Sequence, residues 1–255
     1  MNWKALLLML SKKWLIQWHT KKVKNLNSIF IIPARKGSKG IPNKNVKHLF
    51  GKPLIHYSIE YAKKIKKSKD IICITTNDQR IKKIIKNKDE IEIIDRPNNL
   101  SHDSTSMEDV INHVIKFYGD KNIVFNSLVL LQPTSPIRKI SDFTKIKKKF
   151  NSNVDMVVSV KKARENPYYL LYEENEKGYL EKSKSLRVNR RQDAPIVYCL
   201  NGSFFMINIA SLKNKSINDF SKIVKVEMPF ERSIDLDDKV DWNFLNFLML
   251  NKKLL

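Results

Sequence analysis

Two short segments of the sequence carry the residues that could perform chemistry. The first follows the apolar run at residues 29–33 and contains one arginine, three lysines and two glycines between residues 34 and 45. Glycines let backbone N–H groups approach phosphate oxygens, and Arg35 and Lys44 could offset the charge of a triphosphate. The second is the pair Asp235 and Asp237, whose carboxylates could share one hard cation. Together they indicate metal-assisted chemistry on a polyphosphate.

The basic segment does not match the common glycine-rich phosphate motifs. Pro42 stands five residues beyond Gly37, where a Walker A loop needs glycine, and the G-x-G-x-x-G spacing is also missing. The segment nevertheless follows a predicted strand, and ligands of open α/β sheets bind beyond the carboxyl ends of the strands. On charge alone, a generic basic turn remains the alternative, as an exposed acidic turn does for the aspartate pair.

The elements that would position these segments alternate along the chain. Apolar runs of strand length and amphipathic helical stretches follow one another, which is typical of βαβ units on a mainly parallel sheet. The predicted strands are residues 29–33, 71–75, 92–94, 127–131, 156–160, 203–209 and 223–226. The predicted helices are residues 54–66, 79–87, 106–118, 142–150 and 240–250. We therefore expect one α/β domain over residues 29–255.

Two segments depart from this alternation. Residues 1–28 form a basic extension in which Trp3, Trp14 and Trp18 recur at helical spacing, and its apolar stretch is too short to span a bilayer. This pattern indicates either a dispensable extension or a weak contact with a membrane surface or a partner. Residues 161–195 are rich in Tyr, Glu, Lys and Arg. They are predicted to be an insertion that crosses the active face or reaches a partner subunit.

The formal net charge of +22 first suggests a nucleic-acid partner. The lysines, however, lie mostly on the polar faces of the predicted helices, and the aromatic residues lie in apolar runs where they could not stack on bases. We therefore expect no nucleic-acid binding and keep it only as the less favoured alternative. No acidic residue precedes Glu60, and such a positive field suits a polyphosphate. Two cysteines without a disulfide pattern fit the cytoplasm.

The order of residues in the basic segment is more specific than its charge. Residues 33–45 read Pro-Ala-Arg-Lys-Gly-Ser-Lys-Gly-Ile-Pro-Asn-Lys-Asn, and residues 51–54 read Gly-Lys-Pro-Leu. This order resembles the signature of the acylneuraminate cytidylyltransferases, the CMP-sialic acid synthetases, and of their relatives that activate legionaminic and pseudaminic acids. The resemblance runs from Ile29 to Asp241. Its further blocks are residues 96–104, 130–138, 190–202 and 233–241.

The resemblance implies a three-layer, Rossmann-like nucleotidyltransferase fold with a mainly parallel sheet and a small dimerisation insertion at about residues 161–195. It also implies transfer of CMP from CTP to a sialic-acid-like nonulosonic acid, with release of pyrophosphate, for cell-surface glycans such as lipopolysaccharide or capsule. Mg²⁺ or Mn²⁺ is the implied cofactor. A cytoplasmic homodimer is the implied assembly.

Site residues follow from the resemblance position by position. The implied nucleotide-binding residues are Ala34, Arg35, Ser38, Lys39, Gly40, Lys44, Asn45, Arg96, Ser104 and Ser106. The implied sugar-binding residues are Gln132, Arg191, Gln192 and Asn201. The implied metal ligands are Asp235 and Asp237, which with Arg35 and Lys44 are also the implied catalytic residues.

The sequence departs from the family pattern in two places. Cys199 and Leu200 stand where many members carry a sugar-binding arginine, so a nonulosonic acid other than N-acetylneuraminate stays open as the acceptor. Met107 stands where some relatives have a hydroxyl. A metal-dependent glycosyltransferase that uses a nucleotide sugar is the alternative enzyme, because Asp235 and Asp237 also fit an Asp-x-Asp pattern. That class has no need for a lysine-rich turn at the first strand.

Overall fold

The computed structural model describes residues 24–85, 91–186 and 190–251. Its strands are β1 (Lys24–Pro33), β2 (His48–Leu49), β3 (Lys52–Pro53), β4 (Ile71–Thr76), β5 (Ile91–Asp95), β6 (Ile123–Leu130), β7 (Met156–Lys162), β8 (Tyr172–Glu174), β9 (Leu180–Lys182), β10 (Tyr198–Asn208) and β11 (Ile223–Glu227). Its α-helices are α1 (Ile55–Ile65), α2 (Gln79–Ile85), α3 (Met107–Gly119), α4 (Ile140–Lys149), α5 (Ile209–Asn214) and α6 (Lys239–Leu250). The predictions made for residues 1–23 lie outside the described residues.

One seven-stranded sheet forms the centre of the domain, in the order β11-β7-β10-β6-β1-β4-β5. Strand β10 pairs antiparallel with both of its neighbours, while the other pairings in this sheet are parallel. Parallel strands are covered on both faces and therefore read as continuous apolar runs, as Ile71–Thr76 does. The predicted mainly parallel sheet is confirmed.

Helices cover the sheet on both faces, which confirms the three-layer prediction. Phe30 and Ile32 of β1 pack in one core with residues of α1, α2 and α4. Ile29 and Ile31 pack in a second core with residues of α3 and α5. The two cores separate because successive side chains of a strand point to opposite faces.

A third, smaller core positions the C-terminal helix. Trp242 and Leu245 of α6 pack in one core with Ile41, which lies within the basic segment, and with Leu49 and Leu54, which follow it. Asp238 caps this helix by accepting hydrogen bonds from the backbone N–H groups at its first turn. This packing brings the segment that precedes α6, residues 235–237, towards the basic segment.

Strand β1 is longer than predicted. It begins at Lys24 and not at residue 29, because Lys24 and Asn25 pair with Ile123 and Val124 of β6. Backbone pairing of this kind leaves no apolar signature in polar residues. The last residues of the predicted extension therefore belong to the sheet.

Strand β10 also differs from the prediction of residues 203–209. It begins at Tyr198, and its pairing with β7 is irregular between Leu200 and Phe205. Ile209 belongs to α5 instead, because the side chain of Asn208 accepts a hydrogen bond from the backbone N–H of Ala210 and starts that helix. This helix has only 6 residues, too few for the helical spacing of apolar residues to be recognised in the sequence.

Within residues 161–195, β8 and β9 pair as a separate antiparallel hairpin. The side chains of this hairpin are exposed, so it contributes little to the three cores. Over the described ranges, none of the helices combines the length and the apolar character that crossing a membrane requires.

Candidate active site

A cleft of about 530 Å³ opens beyond the carboxyl ends of β1, β5 and β6. This is the edge at which ligands of open α/β sheets bind. Residues of the basic segment line it together with Asp235 and Asp237 and with residues that follow β5 and β6. The predicted site residues among its lining are Arg35, Ser38, Lys39, Gly40, Lys44, Asn45, Arg96, Gln132, Asp235 and Asp237.

The basic segment is anchored to the sheet at its start. The backbone N–H of Ala34 donates to the carbonyl oxygen of Thr75 at 3.0 Å, and that of Lys36 donates to the side chain of Asn77 at 2.8 Å. The Asn45 amide closes the segment by donating to the carbonyl oxygen of Arg35 at 3.1 Å. The loop is therefore held at the end of β1, and its residues Arg35, Lys39 and Lys44 line the cleft.

Lys44 connects the basic loop to the acidic segment. Its ammonium group donates a hydrogen bond to the carbonyl oxygen of Leu236 and lies 3.7 Å from Oδ1 of Asp237. The Lys44 side chain is largely buried, whereas that of Asp237 is 82% exposed. The ammonium group is thus fixed at the cleft wall while the Asp237 carboxylate remains open to a ligand.

Asp235 lies deeper than Asp237 and has an unsatisfied oxygen. Its Oδ1 is buried and has no hydrogen-bond partner within the described part of the chain. Burial raises the pKa of this carboxyl above its usual range, and the charge of Asp237 raises it further, while a hydrogen bond with the Thr134 side chain and the charge of Lys44 oppose the shift. A buried carboxylate oxygen without a partner is costly unless a cation approaches it.

This donor set fits a divalent metal ion. In the ranges that the structure describes, no group of three or more His, Cys, Asp or Glu side chains could hold a metal. Mg²⁺ needs only one or two carboxylates when phosphate oxygens and water complete its shell. Asp235 and Asp237 provide that number, and the unpartnered Oδ1 of Asp235 is the atom that a cation would satisfy.

Arg96 forms part of the opposite wall as a buried cation. Its guanidinium donates to the carbonyl oxygen of Thr75 at 2.8 Å and to the Thr75 hydroxyl at 3.3 Å. Burial, followed by the nearby charge of Arg35, lowers its pKa to about 10. Arg96 is therefore still charged at neutral pH, and the cleft favours an anionic ligand.

Asp103 is a lining residue to which the sequence reasoning gave no role of its own. Its carboxylate pairs with the Arg35 guanidinium and with the Lys39 ammonium group, the latter at 2.7 Å. Lys39, and then Arg35, hold the pKa of Asp103 below its usual range. A signal was available, because Asp103 is the sole acidic residue between Asp95 and Glu108.

The floor of the cleft is fixed by buried polar contacts. The Arg138 guanidinium donates to the carbonyl oxygens of Gln132 at 2.7 Å and Ser203 at 3.0 Å, and burial lowers its pKa to about 10. A Cβ atom at Gly202 would lie 2.8 Å from Oε1 of Gln132 and 3.0 Å from Oδ2 of Asp235. Glycine at this position therefore leaves room for both side chains.

Several predicted residues lie away from the cleft lining. The Ser106 hydroxyl caps α3 by accepting from the backbone N–H of Asp109 at 3.0 Å, and Ser104 is exposed. Asn201 is buried, with its amide bonded to the hydroxyls of Ser159 at 2.6 Å and Ser233 at 2.9 Å. These contacts stabilise the fold, and the ligand contacts predicted for Ser106 and Asn201 stay predictions.

Two predicted sugar-binding residues lie in the insertion. Gln192 lines a second cavity of about 420 Å³, which Lys161, Arg164 and Phe230 also line. Arg191 begins the short 3-10 helix Arg191–Asp193. The structure therefore does not bring Gln192 into the lining of the first cleft, whereas the prediction for the Arg191 side chain lies outside what the structure describes.

The chain is similar in sequence to known cytidylyltransferases. A model of the cytidylyltransferase family matches residues 29–242. The chain is 31% identical over 221 residues to the N-acylneuraminate cytidylyltransferase of Streptococcus agalactiae serotype III, a match that covers 85% of this chain and 52% of that protein. It is 28% identical over 229 residues to the CMP-N,N'-diacetyllegionaminic acid synthase of Legionella pneumophila, over 88% of this chain and 97% of that protein. The chain thus spans about half the length of the streptococcal relative.

A solved structure shares the fold. The CMP:2-keto-3-deoxy-manno-octonic acid synthetase complexed with CTP superposes with a TM-score of 0.63 at 16% sequence identity. The superposition covers 89% of this chain and 99% of that chain. The Rossmann-like α/β architecture predicted from the sequence is confirmed.

Proposed function

Since the chain belongs to the cytidylyltransferase family, we propose that it transfers CMP from CTP to a sialic-acid-like nonulosonic acid and releases pyrophosphate. One observation carries the proposal: Lys44 of the basic loop and Asp237 of the acidic pair approach to 3.7 Å in one cleft. A triphosphate and its counter-ion need these two kinds of residue together. The names of the streptococcal and Legionella relatives support a nonulosonic acid as the acceptor.

The residues of the cleft suit nucleotidyl transfer. A hydroxyl oxygen of the sugar attacks the α-phosphorus of CTP in line with the bridging oxygen. The new P–O bond forms, the bond to pyrophosphate breaks, and the hydroxyl proton is released to water. Arg35 and Lys44 would stabilise the negative charge on the transferring and leaving phosphates. Arg96 and Asn45 would contact the nucleotide, and Gln132 would position the acceptor.

Asp235 and Asp237 are the residues that would hold Mg²⁺ or Mn²⁺. The bound ion would neutralise phosphate charge and orient the phosphates for attack. This role accounts for the buried, unpartnered Oδ1 of Asp235. A glycosyltransferase is not favoured, because the family match includes the lysine-rich loop at the end of the first strand.

The surface of the insertion supports a homodimer as part of the same proposal. Exposed apolar residues are frequent there, namely Leu170, Leu171, Tyr172, Tyr179, Leu180 and Leu186, and Ile196 and Leu200 follow just after it. Large exposed apolar surfaces are typical of protein interfaces. Light scattering on the purified chain tests this part, since a fully active monomer would contradict it.

The two free thiols, Cys73 and Cys199, fit the proposed cytoplasmic location.

A pyrophosphate-release assay tests the proposed reaction. The chain is incubated with CTP and Mg²⁺ and, in parallel, with N-acetylneuraminate, legionaminic acid, pseudaminic acid or 2-keto-3-deoxy-manno-octonic acid. We expect CTP-dependent pyrophosphate release with a nine-carbon acid, little with the eight-carbon acid, and little when ATP or UTP replaces CTP. Because Cys199 and Leu200 stand where many family members carry a sugar-binding arginine, we place N-acetylneuraminate behind differently substituted nonulosonic acids. Release with none of the nine-carbon acids would overturn the proposal.

A further inference from the structure

Asp103 bridges the two walls of the cleft. It lies between β5 and α3, on the wall that contains Arg96 and Met107, and its carboxylate contacts Arg35 and Lys39 of the basic loop. Within the described ranges, the polar contacts of this carboxylate are with these two cations. The proposed function assigns Arg35 to the phosphates of CTP, and Lys39 is among the nucleotide-binding residues that the family resemblance implies.

We propose that Asp103 is an internal competitor for the polyphosphate, a carboxylate that occupies the cations of the loop until CTP displaces it and that returns when pyrophosphate leaves. Asp103 would thereby set the affinity for CTP and speed the release of pyrophosphate. The inference rests on the proposed function only for the identity of the ligand. The competition itself can be measured without turnover.

Exposure makes the displacement feasible. The Arg35 and Asp103 side chains are 31% and 39% exposed, and that of Lys39 is 80% exposed. Ion pairs at such exposure are weak, because solvent screens them and long side chains lose freedom in forming them. A polyphosphate carries several charges and accepts paired hydrogen bonds from a guanidinium, so it outcompetes a single carboxylate.

The negative charge of Asp103 also supports its competition with the polyphosphate. The two cations keep its carboxyl ionised at neutral pH, so a full negative charge stands in the cleft before any ligand enters. Arg35 also donates to the carbonyl oxygen of Gly37 at 3.0 Å, a contact within its own loop that does not depend on Asp103. Loss of the carboxylate would therefore leave the guanidinium in place and free to bind phosphate.

Asp120 provides a matched control. It is an exposed aspartate that pairs with Lys116 at 2.9 Å. It follows the C-terminus of α3, about 18 Å along that helix from the cleft residue Met107 at 1.5 Å per residue. Asp103→Asn and Asp120→Asn change the net charge equally and each removes a lysine pair, but only the first faces the cleft.

Calorimetric titration with sodium pyrophosphate at low ionic strength tests the proposal. We expect Asp103→Asn to bind pyrophosphate roughly 2- to 5-fold more tightly than the unmodified chain, since an exposed ion pair is the size of the competing interaction. Asp120→Asn and the conservative Asp103→Glu should match the unmodified chain. Uncharged cytidine should bind all four proteins equally. In turnover, the KM for CTP should fall and product inhibition by pyrophosphate should strengthen in Asp103→Asn.

The possible failures are separable. Unchanged or weaker pyrophosphate binding by Asp103→Asn would overturn the competition, whatever the enzyme turns over. Equal tightening in Asp120→Asn would also overturn it, because the effect would then be one of net charge. Tighter binding by Asp103→Asn alone supports the competition even if no nonulosonic acid is activated, an outcome that would contradict the proposed function only.

Discussion

Gly40 lies directly against the backbone of Asp237. A Cβ atom at position 40 would stand 2.0 Å from the carbonyl oxygen of Asp237 and 3.0 Å from its carbonyl carbon. No side chain fits at these distances, so the glycine is what allows the basic loop and the acidic segment to meet. The geometry of the cleft depends on this contact between two positions that lie far apart in the sequence.

Gly40→Ala should therefore move the basic loop away from the acidic segment that contains Asp237. Because the obstructing atoms belong to the backbone, the loop or the acidic segment must shift, and overpacking of this kind costs about 1–3 kcal/mol of unfolding free energy. We expect urea denaturation to show that loss and pyrophosphate release to fall at least about tenfold, since small displacements of catalytic groups are costly. Gly119→Ala is the control, because a Cβ atom there meets nothing within 4 Å. Normal turnover in Gly40→Ala would show that the contact is not needed.

Arg35→Ala and Lys44→Ala should each abolish measurable pyrophosphate release with the fold intact. Removal of one donor that stabilises a developing charge costs about 10²- to 10³-fold in rate. Steady-state assays with saturating CTP measure the rate, and circular dichroism checks the fold. Lys36→Ala is the matched control, because Lys36 is exposed and does not line the cleft. If both cleft variants turned over normally, the loop would have no part in the mechanism.

Asp235→Asn and Asp237→Asn should weaken metal binding without unfolding the protein. A neutral amide is a poorer ligand for a hard cation, and at position 235 it also removes a buried charge. Titration of Mn²⁺ in the presence of CTP, followed by electron paramagnetic resonance, should show at least roughly tenfold weaker binding in each variant. Asp219→Asn, an exposed position outside the cleft, should bind Mn²⁺ normally. Unchanged affinity in both cleft variants would remove these aspartates as ligands.

Asp155 should make the stability of the fold dependent on acid pH. Its carboxylate accepts from Lys215 at 2.8 Å, the Lys222 backbone at 2.9 Å and Ser211 at 2.7 Å, and these bonds hold its pKa well below the usual range. A carboxyl with a lowered pKa in the folded state stabilises the protein above its unfolded pKa of about 3.9. That contribution is lost as pH falls below about 4.

Asp155→Asn should therefore be less stable than the unmodified chain at pH 7, and the difference should shrink as the pH is lowered below 4. Urea denaturation at pH 7, 4 and 3 measures this convergence. Asp120→Asn, at an exposed position, should stay parallel to the unmodified chain at all three pH values. A difference for Asp155→Asn that stayed constant with pH would contradict the prediction.

Much of the fold could be predicted because its signals are local. Buried parallel strands such as Ile71–Thr76 read as apolar runs, and the helix Met107–Gly119 shows its buried face in the spacing of Val110, Ile111 and Val114. The errors occur where structure is set by backbone pairing. Lys24 and Asn25 extend β1 although residues of these types carry no strand pattern, because their backbone pairs with Ile123 and Val124 of the neighbouring strand β6.

The order of residues 33–45 and the spacing of Asp235 and Asp237 by themselves determined the chemistry to expect, since residue type and spacing decide which ligand groups can be bound. Only the tertiary structure decided that these segments share a cleft and that Asp103 forms ion pairs with Arg35 and Lys39. It also decided that the Asn201 side chain forms buried hydrogen bonds. The physical reason is that contacts between distant residues depend on strand order and packing. Local sequence patterns encode neither.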